Sequence, residues 1–62
     1  MINQYDIVKS LTRLNDKVPE DCRGVVVMVL PDFPVGYLVE FMNDKTETLD
    51  VLAVTAEQIE KI

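Results

Sequence analysis

The sequence predicts an all-β domain, a small barrel built on one central hairpin, and three observations predict it. Gly24 is followed by six consecutive apolar residues, Val25-Val26-Val27-Met28-Val29-Leu30, a valine-rich run that favours the extended backbone. The next stretch, Pro31-Asp32-Phe33-Pro34-Val35-Gly36, carries two prolines and a glycine, so it turns the chain rather than extending either strand. Beyond it the pattern has a period of two. Tyr37, Val39 and Phe41 fall on one face, and Leu38, Glu40 and Met42 on the other.

The remaining elements follow in order. Tyr5 to Leu11 alternates imperfectly and reads as a strand, with Ile7 and Val8 making either face available. Thr12 to Arg23 is a long connection with turn signals at Asn15-Asp16 and Pro19-Glu20-Asp21. Its branched aliphatic residues, Leu14 and Val18, are expected to tuck into the core. Asn43 to Glu47 is a polar hairpin loop, and Thr48 to Val54 is a further strand. At the end of the chain Thr55 has the character of an N-cap, with Gln58 completing a capping box. Glu57 to Lys61 then forms one helical turn, and Ile59 and Ile62 close the open end of the barrel.

Sixty-two residues predict one domain, 1–62. A chain of this size buries only about 60% of the surface exposed when unfolded. An enclosed ligand cavity of about 300–1,000 Å³ would remove much of its core, so function is expected on the outer surface. Eleven acidic against six basic residues give a net charge of −5, which disfavours nucleic acid and suits a basic partner. The sequence has no histidine, which removes the usual general base, the Ser-His triads and His-ligated metal sites. Cys22 is the sole cysteine, which excludes an internal disulfide and fits a reducing cytosol. No apolar stretch approaches the roughly 18 residues needed to span a membrane, and the N-terminus lacks a basic region before an apolar core. A cytoplasmic location is the expectation.

The paired carboxylates Glu20–Asp21 and Asp44–Glu47 lie in loops without calcium-loop spacing and are expected to be solvated. Cys22 has no histidine to activate it. Neighbouring Arg23 would lower its pKa slightly, but semi-buried packing is the expected role. Ser10 has no visible activating partner. No catalytic, cofactor-binding or metal-binding set can be assembled, and the chain is expected not to be an enzyme. The apolar side chains outnumber the inward positions of so short a sheet. With Tyr37, Val39 and Phe41 inside, Leu38 and Met42 stand outside, and either Leu49, Val51 and Ala53 or Leu52 and Val54 must join them. An exposed apolar patch centred on Leu38 and Met42 is the expected functional clue.

Several stretches also carry a family pattern. These are Tyr5-Asp6-Ile7-Val8, Val18-Pro19-Glu20, Arg23 through Val29, Gly36-Tyr37-Leu38-Val39-Glu40-Phe41, and Thr48 through Ile59. Together they resemble the short bacterial domain-of-unknown-function family numbered 4926. The resemblance implies an SH3-like barrel of four to five antiparallel strands with a short C-terminal helical turn, and no established activity. It also implies members encoded beside a second small protein, compatible with a paired, toxin–antitoxin-like role. The chain departs from the pattern at Asp21 and Thr46, where glycines are usual, and at Val25 and Leu38, which replace Thr and Glu. The first two sites require either a negative φ or a cost of about 1 kcal/mol. The last two add apolar surface.

The expected function is therefore a protein-interaction module. It would bury Leu38 and Met42, with Leu30 and Phe33, against a partner protein or a second copy. The alternative is a nucleic-acid-binding barrel using Arg13, Lys17 and Arg23 around the first long loop.

Overall fold

The computed structural model describes residues 2–31 and 35–62. It is all-β, with five antiparallel strands in one open sheet. The strands are β1 (Ile7–Ser10), β2 (Arg23–Leu30), β3 (Gly36–Met42), β4 (Thr48–Thr55) and β5 (Ile59–Lys61), in the order β4-β3-β2-β1-β5. A single 3-10 turn, Ala56–Gln58, joins β4 to β5. No helix among the described residues is long and apolar enough to cross a membrane.

The core lies on one side of this sheet. Val8, Val26, Val39, Phe41, Val54 and Ile59 are buried there, and Val18 reaches in from the long loop between β1 and β2. Leu14 packs against the same cluster. Asn15 shapes that loop: its Oδ1 accepts from the backbone N–H of Lys17 and of Val18, each at 2.9 Å. Its Nδ2 donates to Asp50 Oδ2 at 2.9 Å, which ties the loop to β4.

Two strands break the simple alternation, and this is how they hold so many apolar residues. The β2–β3 register shifts between Val26 and Met28, so that Val26 opposes Val39 and Val29 opposes Tyr37, all on the inner face. A bulge at Val27 absorbs the odd residue. The β3–β4 register shifts between Phe41 and Met42, which turns Leu49 toward the core. Of the two alternatives for β4, Leu52 and Val54 point in, and Val51 and Ala53 point out.

Three boundaries differ from the sequence expectation. The first strand begins at Ile7 because Tyr5 has φ 70°, which a strand cannot use. The chain turns there instead: Asp6 N–H donates to Asn3 O at 3.1 Å, and Asn3 N–H donates to Asp6 Oδ2 at 2.7 Å. The helical turn is three residues long, and the residues after it, Ile59–Lys61, form a strand against β1. The capping-box bond from Thr55 N–H to Gln58 Oε1 is present at 2.9 Å.

The Asp6 carboxylate also meets Lys61 Nζ at 3.5 Å, so it joins the N-terminal turn to the end of β5. The Asn3 N–H, and then Lys61, hold its pKa below the ordinary 3.8. A depressed carboxylate pKa means this contribution is full above that value and is lost as the pH falls through the lower, folded one. Urea midpoints measured over about pH 2–5 are expected to fall less steeply for Asp6→Asn than for the wild type. Parallel slopes would show that the clamp contributes nothing.

Candidate functional site

Residues directly opposite in an antiparallel pair share a face. The outer face of the sheet can therefore be read from the register. One row runs Met28–Leu38–Ala53 across β2, β3 and β4. The next runs Ile7–Val25–Glu40–Val51 across β1 to β4. Met28 is 51% exposed, Val51 46% and Ile7 41%, while Leu38 is half-buried between its neighbours. Glu40, the one charged group in these rows, accepts a hydrogen bond from Thr48 Oγ1. At the loop end the face becomes polar, with Arg23, Lys9 and Glu60 outward and Lys9 Nζ 3.9 Å from Glu60 Oε1.

Of the expected partner-binding residues, Leu30, Leu38 and Met42 lie on this face. Leu38 sits in the centre of the first row. Leu30 is half-buried at the end of β2, opposite Gly36. Met42 lies at the loop end, opposite Thr48 and beside a cleft. Phe33 lies outside the described residues. Sequence reasoning missed Met28 and Ile7. Met28 was hidden in an uninterrupted apolar run, and its outward direction depends on the bulge before it.

The cleft, of about 480 Å³, opens between the end of the long loop and the β3–β4 hairpin. Glu20, Asp21 and Asp44 all line it, so the fold brings members of both carboxylate pairs together. Glu47 instead accepts from Asn43 Nδ2. No group of three His, Cys, Asp or Glu among the described residues is placed to hold a metal ion. Cys22 is 7% exposed beside the cleft, and its thiol donates to Met42 O at 3.5 Å. Burial, more than any charge, pushes its pKa up, and Asp44 acts in the same direction. The expected lowering by Arg23 is thereby corrected. At neutral pH the group is a protonated thiol, a poor nucleophile. Ser10 is fully buried and structural: its Oγ donates to Pro19 O at 2.6 Å and accepts from Cys22 N–H at 2.9 Å. Of the basic residues near the loop, Arg13 donates to Asn15 O and pairs with Asp16, and Arg23 lines the cleft.

Asp21 and Thr46, both in the cleft wall, have φ 63° and 61°, the left-handed conformation that disfavours side chains. Thr46 follows a tight turn closed by Thr46 N–H to Asn43 O and Asn43 N–H to Glu47 O, a position glycine normally fills. Thr46→Gly is expected to stabilise the protein by about 1 kcal/mol, raising Tm by about 5 °C in a thermal melt. An unchanged or lower Tm would show that the hairpin carries no such strain.

Fold and surface together define a small antiparallel β-domain with an apolar outer sheet face. Its sequence matches the model of the domain of unknown function DUF4926 over residues 4–61, and the chain belongs to that family. No curated protein and no solved structure matches it.

Proposed function

We propose that this chain is a non-enzymatic interaction module that docks a protein partner on the outer face of its sheet. The observation that carries this reading is the pair of largely apolar rows, Met28–Leu38–Ala53 and Ile7–Val25–Glu40–Val51, in which Ile7, Met28, Val51 and Ala53 are exposed around the half-buried Val25 and Leu38. The strand order and the 3-10 turn before β5 support an SH3-like reading of the fold. Charge indicates the kind of partner. Glu40 stands among the apolar side chains, and the whole chain carries −5, so the complementary surface is apolar with a basic residue facing Glu40. A cytoplasmic partner encoded beside the gene is the first to test, in keeping with a paired role.

The test is calorimetric titration of the purified product of the neighbouring gene into wild type, Leu38→Glu, Met28→Glu and Glu40→Gln. Both glutamate substitutions are expected to raise Kd at least about tenfold, and Glu40→Gln by less. Binding unchanged by Leu38→Glu and Met28→Glu, in proteins that still melt cooperatively, would remove the outer face from the account. Loss of binding reproduced by substitutions in the cleft alone would do the same.

A further inference from the structure

Strand β4 has a neighbour on one side only, so its other edge is open. Amides two residues apart point to the same side of a strand. The Val51 N–H donates to Asp50 Oδ1 at 2.8 Å, and the Thr55 N–H donates to Gln58 Oε1 at 2.9 Å. Both therefore face the open edge, and the Ala53 amide lies between them on the same side. Two of these three outward donors are covered by side chains of the chain itself. The other Asp50 oxygen is held by Asn15, so the long loop is fastened over the same end of the strand. At the opposite margin of the sheet, β5 has three residues, two of them exposed and charged, which is already a poor template for pairing.

We propose that the β4 edge is an interaction surface kept shut by Asp50 and Gln58, and that the strand it fits is β4 of a second copy. The outward amides at 51, 53 and 55 are symmetric about Ala53. An antiparallel second β4, on a two-fold axis through Ala53, sets Val51 opposite Thr55 and Ala53 opposite its own counterpart. Each outward amide then meets a carbonyl. Ala53 is exposed and small, so no side chain obstructs the axis. Val51 and Thr55 are β-branched, a favourable cross-strand pair. The outer row Met28–Leu38–Ala53 continues into the same three residues in reverse, making one apolar band across both copies. The two caps, with a charge of −5 on each copy, hold the wild-type chains apart. The docking proposal above concerns the face of the sheet, whereas this inference rests on the amides of its edge.

The test compares wild type with Asp50→Ala/Gln58→Ala by light scattering from micromolar to millimolar concentration. The wild type is expected to stay at 7.1 kDa and the double variant to double that mass. Adding Ala53→Pro removes the central amide at an edge position where proline is tolerated, and is expected to restore the monomer. A folded double variant that stays monomeric overturns the proposal, as does a dimer that survives Ala53→Pro. Should the double variant fail to fold, amide exchange on the wild type decides. The caps require Val51 and Thr55 to exchange more slowly than Ala53, and equal rates overturn the proposal.

Discussion

Gly24→Ala is expected to destabilise the domain by about 3 kcal/mol, the overpacking penalty of a core with no slack. A methyl group on Gly24 would lie 2.6 Å from Val39 Cγ1, 3.0 Å from Phe41 Cδ1 and 3.0 Å from Glu40 O. Carbon atoms in contact prefer about 3.5–4.0 Å. Val39 and Phe41 are both fully buried, and Glu40 O belongs to the β3 backbone, so none of the three has room to withdraw. Phe41 is the direct cross-strand partner of Gly24, and the missing side chain is what admits the ring. Gly36 supplies the control. A methyl there meets Val54 O at 3.4 Å and Leu30 Cδ1 at 3.7 Å, and Gly36→Ala is expected to change stability by no more than about 0.5 kcal/mol. Urea unfolding of both variants checks the contrast. Equal effects would mean that β2 and β3 can separate to admit the methyl.

Ser10→Ala is expected to cost about 1–3 kcal/mol, because it strands the buried Cys22 N–H and also removes the partner of the part-buried Pro19 carbonyl. The hydroxyl satisfies Pro19 O and Cys22 N–H, and every buried side-chain polar atom among the described residues has such a partner. The Ser10 backbone bonds the same segment, donating to Cys22 O and accepting from Asp21 N–H. One residue of β1 therefore fastens the end of the long loop. For a domain of this size the loss is a large fraction of total stability, of the order of 0.05–0.15 kcal/mol per residue. Urea midpoints measure it, and a change below about 0.5 kcal/mol would show that water replaces the hydroxyl.

Much of the architecture was legible because period-two alternation reports directly which way a strand faces. Tyr37, Val39 and Phe41 were expected inside and are buried, and Leu14 and Val18 were expected to anchor the loop and do. The polar run Asn43 to Glu47 folds as a hairpin on the Asn43 side chain, whose Oδ1 accepts from Lys45 N–H and Glu47 N–H. The candidate face was only partly legible. An unbroken apolar run carries no phase, so Met28 was indistinguishable from Val26 until the bulge at Val27 separated them. The strand Ile59–Lys61 is indistinguishable in sequence from the end of a helical turn, because three residues are too few to show alternation. Ser10 and Asn15 gave no sign of their importance. A polar residue announces its chemistry, but its partners lie across the fold.

From its sequence alone the protein is an all-β domain with a central hairpin, a net charge of −5 and more apolar side chains than its interior can take. Those properties are local or additive, being spacing, composition and turn chemistry. Tertiary structure decided where the surplus goes, which edge of the sheet is covered and which residues accept a left-handed backbone. Register shifts at Val27 and Leu49, and hydrogen bonds as distant in sequence as Asn15 to Asp50, have no local signature. They arise only when the strands meet, because each lets side chains pack or polar groups pair that would otherwise be left exposed or unsatisfied.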